Sequence, residues 1–325
     1  MNNRLHSLQG SHPAGLDFIR QLVPPGKTLI DACFISNPEA TRLFLKYLAP
    51  MLEENAMLKA IGSYPSENKE LAQKISEVLG IEADWIFPAN GASEAIRAVT
   101  QQFVKHQLVL LPNYTGYQEV AVPPVRTSTF MLKESDSFQV QIGPTLSHLK
   151  ECGADSLVLI NPNNPTGNYL NQEQIQELLE ALPRQLNLIL DESFVHFASV
   201  EIDTVNASLH LLENHPNLIL IRSCGKDYGL SGLRIGYALM HPARIRILRD
   251  TGLLWNCNAF VQWFWEISGD PQFRKEYELL RKKQVGVCHR FFNDLAQIEN
   301  LRVYPSQANF CLTRLPDYVA APDFC

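Results

Sequence analysis

The chain has 325 residues, 46% of them hydrophobic and 19% charged, with a formal net charge of -6. That length exceeds one ordinary core and predicts a large domain with a smaller companion. The acidic balance, without any Lys/Arg-rich run, argues against nucleic acid or a membrane as partner and leaves small molecules or a second copy of the chain.

In chain order, residues 1–10 are polar and lack an apolar signal core, and no apolar run reaches the length of a membrane span, so a cytosolic protein is expected. Ala89-Asn90-Gly91-Ala92-Ser93-Glu94-Ala95-Ile96 is a glycine turn opening into a helix whose spacing continues over 93–103. Free N–H groups and the positive dipole end make such a start receptive to phosphate, although many helices begin this way and bind nothing. Residues 108–111 are a short aliphatic strand, as are 157–160. The second strand runs into Asn161-Pro162-Asn163-Asn164-Pro165-Thr166-Gly167, where two prolines and a glycine force a rigid turn and hold the Asn164 amide at the sheet edge.

Helical spacing follows over 172–182, then a strand over 188–190 closed by Asp191-Glu192-Ser193-Phe194. A carboxylate ending an apolar run is partly desolvated, which is costly unless a cation such as a protonated cofactor ring nitrogen pairs with it. Capping a following helix is an equally good use of that aspartate. The strand at 218–221 leads into a glycine-rich turn, Ser223-Cys224-Gly225-Lys226-Asp227-Tyr228-Gly229-Leu230-Ser231-Gly232-Leu233-Arg234-Ile235-Gly236. Lys226 and Arg234 there can present an amine to an aldehyde and a guanidinium to a phosphate, at the strand end where open α/β sheets place ligands. The plain alternative is a solvated surface lysine.

A helical segment at 243–248 completes an alternation that predicts an α/β fold, a mainly parallel sheet sandwiched by helices. Downstream, 260–295 is largely helical and 301–304 with 309–313 look like paired strands, so a second, α+β domain is expected to begin near Trp255. No GxGxxG or Walker A pattern occurs, which weakens nucleotide alternatives. The seven cysteines (Cys33, Cys152, Cys224, Cys257, Cys288, Cys311 and Cys325) are scattered without a C-x-x-C pair, as for reduced thiols, and Cys224 is expected to be a small packing residue. The nine histidines have no metal-ligand spacing, and no metal is expected.

Together these motifs, from about Asp31 to Arg314, resemble the fold-type I, pyridoxal-phosphate-dependent aminotransferases of class I/II. Within that family the resemblance is to the branch of histidinol-phosphate aminotransferase and threonine-phosphate decarboxylase. It implies pyridoxal 5'-phosphate as cofactor, with Lys226 as the Schiff-base lysine and Asp191 as the partner of the pyridine nitrogen; these two are the catalytic residues. It further implies that Asn164 bonds the ring hydroxyl, that Tyr114 stacks on the ring, and that Ser223, Arg234 and the N–H groups of Ala92 and Ser93 bind the phosphate. Tyr64, in Ser63-Tyr64-Pro65, resembles the tyrosine that reaches the phosphate of the neighbouring subunit, which implies a homodimer with shared sites. The implied division is an N-terminal arm with part of the small domain at 1–48, a large cofactor-binding domain at 49–255 and a small domain at 256–325.

Two positions depart from the family. Phe194 stands where many aminotransferases have a tyrosine that also bonds the ring oxygen, a place where threonine-phosphate decarboxylases and some aminotransferases carry phenylalanine. The family's arginine for the substrate carboxylate lies beyond the position of Arg314; Arg302 and Arg314 align with scaffold strand positions. Ala320-Ala321-Pro322-Asp323-Phe324-Cys325 has the form of an opening helix, so the small domain is expected to be incomplete at its C-terminus. The expected function is an aminotransferase acting on an amino acid or amino-acid phosphate. The alternatives are a threonine-phosphate-type decarboxylase and, of another class, a cofactor-binding protein with little turnover.

Overall fold

The computed structural model describes residues 20–21, 23–29, 36–201, 206–252 and 255–319, and the chain divides into two units, 1–35 and 36–325. In the first unit the described residues hold a turn in which the Lys27 N–H donates to the Pro24 carbonyl, with Gly26 at a φ of 81°. The expected C-terminal helix opening at 320–325 lies outside the described residues, as do Cys33 and Cys325.

The second unit is built on seven strands: β1 (Ile86–Asn90), β2 (His106–Leu111), β3 (Arg126–Met131), β4 (Ser156–Ile160), β5 (Asn187–Asp191), β6 (Leu218–Ser223) and β7 (Ile235–Leu239). They lie in the order β1-β7-β6-β5-β4-β2-β3, with β7 antiparallel to both neighbours and the other pairings parallel. The mainly parallel sheet expected from the sequence is therefore present. Every residue of β4 and β5 is buried, as a strand covered on both faces requires. Alternate residues serve opposite faces: Leu108, Leu157, Leu188 and Leu218 join one core, while Val109, Val158, Ile189 and Ile219 join the other.

The covering helices are α1 (Pro38–Leu48), α2 (Glu54–Gly62), α3 (Asn68–Leu79), α4 (Ala92–Phe103), α5 (Gly116–Val120), α6 (Ile142–Cys152), α7 (Gln172–Ala181), α8 (Pro242–Arg249), α9 (Ala259–Gly269) and α10 (Pro271–Leu295). Local chemistry sets their ends. Asn171 and Gln174 form a capping box at α7. Asp270 caps α10 with Pro271 in its first turn, so the helical stretch expected over 260–295 is broken into α9 and α10. Lys46 and Tyr47 of α1 both bond Glu276 of α10, and the Tyr47 ring meets Phe273 edge-on at 5.2 Å. The terminal strand pair is shorter than expected, β8 (Arg302–Val303) against β9 (Thr313–Arg314), and 309–312 is irregular. Among the described residues no helix is long and apolar enough to cross a membrane.

Candidate active site

Strand register brings the sequence motifs to one edge of the sheet. Asn90 of β1 lies opposite Ile235, Ser223 of β6 opposite Gly236, and Asp191 of β5 opposite both Ile221 and Ile160. Because β7 runs against its neighbours, its beginning sits where the parallel strands end, and Arg234 immediately precedes it.

The first group is a cup at the start of α4. Gly91 has φ 80° and ψ 164°, a region open essentially to glycine alone, and a Cβ there would lie 2.5 Å from Arg234 Nη2. A Cβ on Gly236 would lie 2.4 Å from the Ala92 nitrogen, so β7 packs directly under the helix start. Arg234 Nη2 donates to Ser93 Oγ at 3.3 Å and Nη1 to the Ser231 carbonyl at 3.2 Å. The N–H groups of Ala92 and Ser93 belong to the first turn, which has no intrahelical acceptor. Guanidinium, hydroxyl and the first-turn amides are thus gathered at the start of α4.

Lys226 lies in the loop between β6 and β7. Cys224 N–H donates to the Ile235 carbonyl at 3.1 Å and closes that loop, while Ser231 Oγ donates to the Gly225 carbonyl at 2.8 Å across it. Thr41 Oγ1 of α1 donates to the Gly229 carbonyl at 2.8 Å. The Ser223 hydroxyl accepts from Gly225 N–H at 3.2 Å, so it braces the lysine turn at the cup's edge. Lys226 Nζ lies 5.6 Å from the ring centroid of Phe194, which is buried and edge-on to Phe310 at 4.9 Å. Cys224 is buried and its thiol is pushed well up by burial and by Asp227, in keeping with a packing residue.

Asp191 is only 3% exposed. Its carboxylate accepts from Ser193 N–H at 2.9 Å and from the Tyr117 hydroxyl at 2.9 Å, and among the described residues no cation pairs with it. Burial raises its pKa above the ordinary value despite those two donors. Tyr117 is a residue that the sequence reading missed. It is fully buried on α5, three residues after Tyr114, and Gly116 between them lets the Tyr114 ring fold back, since a Cβ there would lie 2.2 Å from the ring. Burial, with Glu119 and Asp191, raises the pKa of the Tyr114 hydroxyl above its ordinary value, and Arg234 opposes the rise.

Asn164 is half-buried in its turn. Asn163 Nδ2 ties that turn to the Pro112 carbonyl at 2.9 Å, beside Tyr114, and Gln307 N–H bonds the Gly167 carbonyl at 2.8 Å. Tyr64 is 82% exposed, its ring 4.9 Å from that of Trp255. Arg314 donates to Glu134 at 3.0 Å, and Arg302 lies 3.8 Å from the same carboxylate, so both serve the Glu134 cluster.

Residues 49–325 match the family model described as aminotransferase class I and II. The chain belongs to that family. It is 36% identical to an L-serine phosphate decarboxylase of Campylobacter jejuni over 323 residues, 98% of this chain and 83% of the relative. It is 30% identical to histidinol-phosphate aminotransferase 2 of Legionella pneumophila over 267 residues, 77% of this chain and 67% of the relative. The solved structure of a decarboxylase from Sulfurospirillum multivorans superposes with a TM-score of 0.88 at 35% identity, covering 98% of this chain and 82% of that one. The fold is fold type I, and the enzymes of this family depend on pyridoxal phosphate.

The residues present fit that cofactor. A buried carboxylate that pairs with no cation among the described residues suits a protonated ring nitrogen, and the cup of Arg234, Ser93 and the α4 amides suits a phosphate.

Proposed function

We propose that this enzyme removes the carboxylate of an O-phosphorylated hydroxy-amino acid, with L-serine phosphate the first substrate to test. The observation that carries this reading is the 36% identity to an L-serine phosphate decarboxylase across 98% of the chain, against 30% over 77% for the aminotransferase relative. Phe194, in place of the tyrosine common in aminotransferases, leans the same way. The aminotransferase expected from the motifs becomes the second reading.

Lys226 would anchor the cofactor; Arg234, Ser223, Ser93 and the amides of Ala92 and Ser93 would hold its phosphate. Asp191 would pair with the ring nitrogen, Asn164 would bond the ring hydroxyl, and Tyr114 would stack on the ring. When bound, the cofactor supplies an electron sink conjugated to the substrate Cα. Tyr117 and Ser193 fix the Asp191 carboxylate, so that it would meet the ring nitrogen without reorganising. Phe194 and Phe310 exclude water on the lysine's side. Lys226, released when the substrate amine takes its place, would deliver to Cα the proton that replaces the departing carbon dioxide. The apolar exposed residues Leu58, Ile61 and Tyr64 along and after α2 support a homodimer in which Tyr64 reaches the partner's site.

Incubating the holoenzyme with L-serine phosphate and assaying the products tests the reading. Carbon dioxide with ethanolamine phosphate is expected. A keto acid formed with an amino acceptor would establish the aminotransferase instead, and neither product would leave a cofactor-binding protein.

A further inference from the structure

Asp227, the residue after Lys226, takes no part in the chemistry above, yet it is 2% exposed. Its carboxylate sits between two partners from distant parts of the chain. His196 Nδ1 lies 2.5 Å from Oδ2, and because a carboxylate can only accept, that nitrogen carries the proton. The Tyr277 hydroxyl of α10 donates to the same oxygen and lies 3.2 Å from His196 Nδ1. Tyr228 stacks on Tyr277 at 3.9 Å and 10°.

The histidine is held in turn. Arg281, fully buried one turn further along α10, donates to the carbonyls of His196 at 2.8 Å, Ser199 at 2.5 Å and Val200 at 2.8 Å, and pairs with Glu278 at 2.8 Å. The cluster therefore joins three pieces: the loop that carries Lys226, the turn that carries Phe194, and α10. Apolar side chains of similar volume would join them equally well for stability. A carboxylate shared by two directional donors fixes a position as well as an association.

We propose that Asp227, His196 and Tyr277 are positioning residues that set the Lys226 amine against Phe194 and hand control of its placement to α10. The inference rests on Lys226 being the cofactor-anchoring lysine, and it holds for decarboxylation and transamination alike. The test uses His196→Ala, Tyr277→Phe and His196→Asn, whose amide N–H can replace the Nδ1 donor. Apoprotein of each is mixed with pyridoxal phosphate, quenched with borohydride at intervals, and mapped for the labelled peptide.

His196→Ala and Tyr277→Phe are expected to slow capture at Lys226 by roughly tenfold or more. They should also lower kcat with KM little changed, and His196→Asn should recover most of both losses. Unchanged capture and kcat in the first two variants, or no recovery by His196→Asn, would overturn the proposal. If His196→Ala does not fold, Tyr277→Phe, which keeps the stacked ring, decides. Wild-type protein labelled on a different lysine would instead refute the anchoring role of Lys226, a failure that the mapping distinguishes.

Discussion

The buried Asp191 carboxylate costs the apoprotein stability at neutral pH. Folding raises its pKa, so the folded chain binds a proton more readily than the unfolded chain. Its contribution to apoprotein stability is therefore fullest below the ordinary carboxylate value and falls as pH rises through the raised one. Asp191→Asn keeps an acceptor for Tyr117 and removes the charge. The apoprotein variant is expected to melt above wild type at neutral pH, the gap closing towards acid, while holoenzyme turnover drops by roughly a hundredfold or more. Melting curves across pH on apoprotein and steady-state rates on holoenzyme check the two halves; a variant less stable than wild type at pH 7 would refute the first. Asp191 and Lys226 stand out in the sequence because the first closes an apolar run and the second lies in the glycine-rich turn that follows one. Tyr117 was not, since its bond to Asp191 joins residues 74 apart and leaves no local pattern. The cluster around Asp227 was hidden for the same reason, His196 and Tyr277 being separated by 81 positions.

At the scale of elements, β7 and the start of α4 form one close contact that small residues permit. Gly236→Ala places a methyl where the Ala92 nitrogen stands and is expected to loosen the cup, weakening pyridoxal phosphate binding by about tenfold or more while the far edge of the sheet stays intact; equilibrium dialysis measures it. Deeper in the sheet, Arg222 of β6 donates to Glu192 beside β5 at 2.9 and 2.7 Å, both side chains almost wholly buried. Arg222→Leu strands the carboxylate and is expected to cost about 3–5 kcal/mol in urea unfolding. A loss below about 1 kcal/mol would show that water or Ser208 suffices for Glu192. The inner strands β2, β4, β5 and β6 were readable as aliphatic runs because both their faces are covered, whereas β7, equally buried, follows the glycine-rich turn without a break and was not read as a strand. β3 was not, because as an edge strand its residues are mostly exposed and polar, and β1 carries Pro88, tolerated there because among the described strands only β7 borders it.

For the whole molecule, α2 has no buried residue, and with Tyr64 beyond it offers an apolar face suited to a second copy of the chain. Light scattering at micromolar concentration is expected to report a dimer, and Tyr64→Ala to weaken cofactor retention without unfolding the protomer. A monomer that binds cofactor normally would exclude a shared site. The sheet order has a consequence for how the molecule comes to exist. Among the described strands β1 has one neighbour, β7, whose first residue follows Asn90 by 145 positions. On the ribosome, β1 and α4 emerge early and must wait, their hydrogen-bonding edge unmatched, until the chain beyond Arg234 arrives. Closing so long a loop is entropically slow. The cup proposed for the phosphate straddles that same seam, with Ser93 on the waiting side and Arg234 on the arriving side. An anion held from both banks would clasp β7 to the start of α4, so cofactor supply during synthesis would bear on the yield of folded chain as well as on catalysis.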